Sequence, residues 1–412
     1  MTAALDRSFA SLRIPNYRRF FVGQLVSISG NWMQTVAEIW VILTLTGSGV
    51  AVGFTTALQF LPMLLVGAWG GLIADRVAKR QLLIATQTLH MLPPLALFAF
   101  ALAGDLSPVA VYAVAFARGA VNAVDYPTRQ AFVMEIVGAD RVVNAVSLNS
   151  VLIHSARIAG PALAGLLIAT VGVESCFALN AASFAVMIFA LVGMDTGALR
   201  PAAVAPPQSG AVRAGLRYVR GTPQLWIPLG LMAVVGTLGF NFQAVLPLLA
   251  RFTFDGGAST YAALVSAMGI GAVVGALTNG ARGTVTPALL AGAAIGFGAL
   301  ALLAAGAPWI ALEMLVLAPL GAASVILAAS VNSALQLASD PAMRGRVMAL
   351  YSIVFLGSTP IGAPLAGWLS EQVDPRAALI MAGVSALVAG LGTRLAFERM
   401  GTEMSPRRTA DT

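Results

Sequence analysis

The sequence predicts an all-α membrane protein, with twelve transmembrane helices in two pseudo-symmetric six-helix halves. Three observations carry that prediction. The 412 residues are 58% hydrophobic and only 10% charged, whereas soluble domains carry about 25% charge, so the chain lacks the polar surface to cover itself in water. Apolar runs recur from end to end, near the length of about 20 residues that crosses a hydrocarbon core as a helix. A proline- and alanine-rich stretch, ALRPAAVAPPQSG at 198–210, divides six of these runs from six.

In chain order the spans are expected at 20–45, 50–73, 82–103, 108–124, 142–171, 175–194, 225–250, 260–280, 286–306, 308–330, 346–370 and 376–397. The period-two alternation of a membrane barrel is absent, and a bilayer tolerates no other spanning form. The organisation that follows is a cytoplasmic segment 1–19, a six-helix bundle 20–194, a cytoplasmic linker 195–224, a second bundle 225–397 and a cytoplasmic tail 398–412. The amino end is polar from Asp6 to Arg19 and then enters a span too long for a signal peptide. The first helix is therefore expected to remain in the protein.

Orientation follows from charge. With both termini in the cytoplasm, twenty of the 24 basic residues fall on inner segments, Arg251 and Arg376 fall outside, and Arg118 and Arg157 lie within helices. This positive-inside bias accounts for the net charge of +7 without nucleic acid, and a bacterial inner membrane is the expected location. Cys176 is alone and only two histidines occur, so neither a disulfide nor a metal centre is expected, and no cofactor is implied. The linker's AVRAGLRYVR sets Arg213, Arg217 and Arg220 apart from Val212, Leu216 and Val219; a helix on the membrane surface and a solvated loop helix both fit.

The halves look like copies. IAGPALAGLL at 158–167 matches PIGAPLAGWL at 360–369, pairing Gly160 with Gly362 and Gly165 with Gly367. Internal duplication of this kind is the arrangement of transporters built from two six-helix halves. The small-residue pairs Gly67 with Gly71 and Gly271 with Gly275 predict close helix approach.

Against this apolar background, GGLIADRVAKRQ at 70–81 crowds Asp75, Arg76, Lys79 and Arg80 into six residues. Gly71 to Arg76 with Lys79 and Arg80, after the second span, resembles the signature of the major facilitator superfamily, with Ala78 and Gln81 departing from its pattern. The second-half equivalent at 279–283 lacks the aspartate. Arg118-Gly119 in the fourth span resembles the buried arginine of that superfamily's proton-coupled members. Gly160-Pro161-Ala162-Leu163-Ala164-Gly165 resembles the GPxxGG element of its proton-exchanging exporters. NAVDYPTRQAFVMEIV, NAVSLNS and ARIAGPALAG are similar to the branch that holds the enterobactin exporter and macrolide-efflux proteins. The resemblance implies that Gly71, Asp75, Arg76 and Arg80, with Asp125 and Arg129, form a conformational latch on the cytoplasmic side, Asp75 meeting Arg129 or the start of the eleventh span. For the bases alone, holding the loop inside is the simpler role.

The polar residues inside the spans are few and ordered. Gln24, Ser27, Asn31, Gln34 and Glu38 are spaced to share one face of the first helix, and burying such groups without partners costs several kcal/mol each. That face lines an aqueous cavity or a helix contact. Arg118, Asn122 and Asp125 form a stripe on the fourth span, and Ser147, Ser150, His154 and Arg157 another on the fifth. An intramembrane carboxylate is a functional hypothesis by default. Glu38 is thus a candidate proton carrier answered by Arg118 or Arg157, with His154 either joining the relay or serving structurally. A structural ion pair is the competing reading of Glu38. Asn31, Gln34, Phe240, Asn241 and Gln243 are candidate lining for a substrate cavity, and Glu313 either snorkels outward or meets substrate.

These features predict a secondary active exporter, moving an amphipathic small molecule of the drug or siderophore class outward by alternating access while protons return, as a monomer in the lipid bilayer. An uptake symporter and a transport-fold sensor remain as alternatives. No GxxxxGK[ST] loop occurs, which argues against ATP-driven pumping by this chain, and an enzyme is not expected.

Overall fold

The computed structural model describes residues 10–138, 141–200, 211–280, 285–341 and 343–400. Of the described residues 89% are helical, and no strand occurs among them. The first six long helices are α1 (Pro15–Thr46), α2 (Gly49–Arg76), α3 (Lys79–Ala103), α4 (Pro108–Val137), α5 (Val142–Thr170) and α6 (Val173–Val192). The linker forms α7 (Ala211–Arg220). Beyond it come α8 (Pro223–Leu238), α9 (Phe242–Leu248), α10 (Ala258–Gly280), α11 (Pro287–Ala305), α12 (Ile310–Ala338), α13 (Arg344–Gly357), α14 (Thr359–Gln372) and α15 (Pro375–Met400).

Among the described residues, ten stretches are long and apolar enough to cross a bilayer. Two further helices, α1 with 32 residues and α4 with 30, have the length and fall short only because they carry the polar residues singled out above. Helix ends follow local chemistry. Pro15 and Pro108 occupy first-turn positions, where a missing N–H costs nothing. Gly47 (φ 64) and Gly104 (φ 75) end α1 and α3 in the left-handed conformation that glycine adopts without strain.

Three expectations need correction. The fourth span does not stop at 124 but runs to Val137 through Pro127, because Asp125, Arg129 and Glu135 are neutralised by partners and the helix outlasts its apolar run. The seventh span is interrupted between Leu238 and Phe242, and a π turn at Leu249–Thr253 follows; Asn241 Nδ2 donates to the Thr237 carbonyl at 2.7 Å, satisfying a backbone acceptor at the interruption. The eleventh is divided at Ser358, where Pro360 lacks an N–H for the helical ladder and Ser358 Oγ donates to the Phe355 carbonyl at 2.8 Å.

The chain forms two compact units that do not follow sequence order. One comprises Met1–Gly47, Leu58–Pro207 and Gly256–Ser266; the other comprises Ser48–Ala57, Gln208–Asp255 and Ala267–Thr412. Lipid tails are as apolar as leucine, so helices in a bilayer are held by close packing and polar contacts rather than by escape from water. In the first unit α1 packs on α5 and α6, and α3 on α4 and α6. Tyr17, Phe20, Leu83, Phe132 and Met187 form its buried cluster, with the Tyr17 hydroxyl donating to the Ala145 carbonyl at 2.9 Å. A Cβ on Gly70 would strike the Ala123 carbonyl, whereas Gly67 and Gly71 meet no neighbouring helix. The expected small-residue contact of the second span therefore runs through Gly70. In this unit the start of α10 also packs against α5, where Gly165 faces Ala262, and Tyr261 stacks on Trp40 of α1 at 6.5 Å.

In the second unit α11 and α15 meet across Gly298, Gly383 and Gly390, and α10 and α12 across Gly271, Gly275 and Gly321. Phe240 and Phe242 pack edge-on against Phe297. The linker helix α7 is docked on α13, with Gly215 against Arg346 and the Tyr218 hydroxyl donating to Asp340 at 3.0 Å. The start of α2 is seated on α14, where Gly49 and Gly53 lie against the Gly367 and Ala363 carbonyls. There the Glu371 carboxylate accepts from Ser48 Oγ at 2.6 Å and from the Val50 N–H at 3.0 Å. An anion at a helix amino terminus matches its exposed N–H groups and dipole.

Candidate functional site

The first unit concentrates its polar chemistry where α1, α2, α4 and α6 meet. Glu38 has no solvent exposure. One carboxylate oxygen accepts from Arg118 Nη1 at 2.5 Å and from Gln59 Nε2 at 3.2 Å; the other accepts from Gln34 Nε2 at 2.5 Å. Arg118 Nη2 donates to Thr35 Oγ1 at 3.2 Å, and the Gln34 carbonyl accepts from Asn180 of α6. Two glycines make the convergence possible. A Cβ on Gly119 would strike the Gln59 carbonyl, and one on Gly30 would strike the Asn180 and Ser183 side chains. Removing two ions from water is compensated only when geometry is good and the remaining lone pairs are satisfied, and three donors from three helices supply that to Glu38 here.

A second centre lies on α3 and α4. Asp125 is ion-paired with Arg129 on the same helix and accepts from Thr86 Oγ1 at 2.6 Å and Gln87 Nε2 at 2.7 Å. Ser27 of α1 donates to Gln87 Oε1 at 3.4 Å, so a polar chain crosses α1, α3 and α4. Towards the inner end, Lys79 pairs with Glu135 at 2.9 Å. Arg80 donates to the Leu191 and Val192 carbonyls, at 2.8 and 3.0 Å, at the carboxyl end of α6. The two bases thus do more than hold a loop inside, because they tie α3 to α4 and α6.

The structure brings Glu38 to Arg118 and leaves Arg157 elsewhere. Arg157 lies with its guanidinium 5.0 Å from the centre of the Trp32 ring, a cation–π contact. Gly160, one turn on, packs against Ser29 and Trp32 of α1, with Pro161 beside it inside α5. His154 Nδ1 has no hydrogen-bond partner, and His90 stacks on Phe184. Of the candidate lining residues, Gln34 and Asn241 are buried at 0% and 3% and hydrogen-bonded, whereas Asn31, Phe240 and Gln243 keep accessible surface. The polar face of the first helix is therefore mainly a helix contact: Gln24 bonds Asn149, Ser27 bonds Gln87 and Gln34 bonds Asn180. Glu313 does not snorkel outward, since it is 1% exposed and neither carboxylate oxygen has a partner. Arg76 is exposed and Gly71 faces open space. The Asp75 side chain, and Arg282 of the second-half equivalent, lie outside the described residues.

Sequence reasoning missed Thr35, Gln59, Thr86, Gln87, Glu135, Asn180 and Trp32. Gln59, Gln87 and Asn180 carried a legible signal, each being an isolated amide within an apolar span.

Two bundles of long apolar helices, interrupted helices in the second unit and a buried acid–base network define a multi-pass membrane transporter of the major facilitator type. The family profile described as transmembrane secretion effector matches residues 6–409, and the chain belongs to that family. Its relatives are membrane transporters rather than enzymes. The chain is 26% identical over 391 residues to the enterobactin exporter EntS of Citrobacter koseri, covering 92% of this chain and 90% of that one. It is 25% identical over 262 residues to the staphyloferrin A transporter of Staphylococcus aureus, a match spanning 63% of this chain and 65% of that protein's length. Among solved structures, the nucleoside transporter NupG (D323A mutant) is similar in fold, with a TM-score of 0.75 at 15% identity over 92% of this chain and 99% of that one. A POT family transporter in complex with 5-aminolevulinic acid gives 0.76 at 12% identity over 94% and 96%.

Proposed function

We propose that this transporter exports an amphipathic small molecule of the drug or siderophore class across the cytoplasmic membrane, by alternating access and in exchange for protons. It works as a monomer with both termini in the cytoplasm. The observation that carries the coupling is Glu38, a fully buried carboxylate held by Arg118, Gln34 and Gln59. A proton arriving on Glu38 removes the anion that Arg118 faces, and the released cation favours a different packing of α1 against α4. Loss of the proton restores the pair. The names of the relatives, an enterobactin exporter and a staphyloferrin A transporter, support the siderophore class.

In this reading Arg76, Arg80, Asp125 and Arg129, with Gly71 and Asp75, latch the cytoplasmic side, and Gly160, Pro161 and Gly165 hold α5 against its neighbours. Asn31 in the first unit, and separately Phe240 and Gln243 in the second, are candidate substrate contacts. Inverted membrane vesicles test the proposal. When their lumen is acidified by respiration, labelled enterobactin, staphyloferrin A or erythromycin should accumulate inside, and a protonophore should abolish accumulation. Discharge of a preloaded substrate by the same gradient would indicate symport. Binding of all three without flux would leave a sensor.

A further inference from the structure

We propose that Arg157, set on the face of Trp32 with His154 beside it, is the site that receives an anionic oxygen group, a carboxylate above all, on the transported molecule. This rests on the reading of the chain as a small-molecule transporter and names the substrate's charge class. Among the described side chains of the first unit, which do not include that of Asp75, three carboxylates are carried on membrane-spanning helices away from their outer ends, and each already has a cation: Glu38 has Arg118, Asp125 has Arg129 and Glu135 has Lys79. Arg157 meets no carboxylate. Its contact is the Trp32 ring at 5.0 Å.

A cation at this depth is costly by about 2.5 kcal/mol or more unless an anion or water answers it, and a ring quadrupole recovers only part of that. Arg157 as a residue keeps part of its surface accessible, and a guanidinium presents a planar fork of donors that matches the two oxygens of a carboxylate. The site is also held in register. Gly160 packs so closely on α1 that a Cβ would overlap the Ser29 carbonyl and Trp32 Cβ, which fixes α5 along α1 and so places Arg157 over Trp32. One turn before Arg157, His154 presents an Nδ1 without a partner, and Asn31, adjacent to Trp32 in sequence, keeps accessible surface. The result is a fixed positive centre with an aromatic wall and further polar groups, suited to an acidic amphipathic molecule and hostile to a cationic one.

The test uses full-length protein in phosphatidylcholine nanodiscs, where no proton gradient exists, so a failure of proton coupling does not affect it. The probes are 2-naphthoate, its neutral analogue 2-naphthylmethanol and the cation 2-naphthylmethylammonium, with binding measured by calorimetry. The wild type should prefer naphthoate to both analogues by about ten- to a hundredfold, the range of a charge-assisted hydrogen-bonded contact. Raising salt from about 50 mM to about 500 mM should narrow that preference. Arg157→Gln should abolish it while still binding the neutral alcohol, which reports an intact fold, and Arg157→Lys should retain part of it. Absence of a naphthoate preference in the wild type, or its survival in Arg157→Gln, overturns the assignment. If the preference holds and the vesicles show no proton-driven accumulation, the anion site stands and the export reading falls.

Discussion

Arg118→Leu is expected to abolish accumulation of folded protein, and a second change, Glu38→Gln, is expected to restore it. The single variant leaves a carboxylate with no solvent exposure and no counter-ion, keeping only the amide donors of Gln34 and Gln59. Breaking a buried pair from one side costs about 3–5 kcal/mol, a large part of the stability of most proteins. The double variant removes both charges and leaves an amide able to bond the same glutamines. Glu38→Gln also strands one charge, but it mimics the protonated carboxyl of the proposed cycle, offers its amide oxygen to Arg118 and leaves Arg118 bonded to Thr35, so it should fold with reduced stability. Yet it holds no exchangeable proton, so its proton-driven accumulation in inverted vesicles should fall to the level of empty vesicles. Fluorescence-detected size exclusion reads the first result and vesicle flux the second. Arg118→Leu folding as well as the wild type would mean that the pair is not structurally demanding. Undiminished coupled flux by Glu38→Gln would remove Glu38 from proton exchange.

Gly271→Ala should also be severe, although the change is one methyl group. On α10 that methyl would overlap the Ala318 carbonyl of α12, and Gly275 and Gly321 stand in the same tight seam. Backbone cannot rotate aside as a side chain does, so the helices must separate along the seam, losing dispersion contacts over their length. Overpacking of this kind costs about 1–3 kcal/mol, occasionally more. Gly292→Ala on α11, where a methyl would meet open space, is the control and should stabilise by about 0.5–1 kcal/mol through helix propensity. A thermal unfolding series in detergent should show a large drop for the first variant and a small rise for the second. Equal midpoints would contradict the close seam.

The spans were legible because the bilayer forces a helix-length apolar run wherever the chain crosses. The face shared by Gln24, Ser27, Gln34 and Glu38 was legible for the same reason that helical spacing is. What spacing does not encode is the helix on the far side. Arg118 and Arg157 looked equivalent as partners for Glu38, and the difference lies in packing across helices, with α4 closing on α2 at Gly119 and α6 on α1 at Gly30. The Asp125–Arg129 pair had a local signature, opposite charges four residues apart, whereas Lys79 with Glu135 joins separate helices and leaves no trace in local sequence. Gly67 and Gly71 had the spacing of a contact motif, but the neighbour lies over Gly70, so spacing alone chose the wrong row. The interruption at Asn241 was hidden because the residues on both sides stay apolar, whereas Gly357-Ser358-Thr359-Pro360 carried a breaker signal inside the eleventh run.

The placement of Ser48–Ala57 with the second unit and of Gly256–Ser266 with the first has a consequence for how the polypeptide can be divided. A cut in the linker yields two fragments, each retaining a stretch that the other needs to complete its core and missing one of its own. Each piece alone is then expected to be less stable than its counterpart in the whole chain. Synthesised together in one cell they should find each other, because each offers the vacancy into which the other's displaced segment inserts.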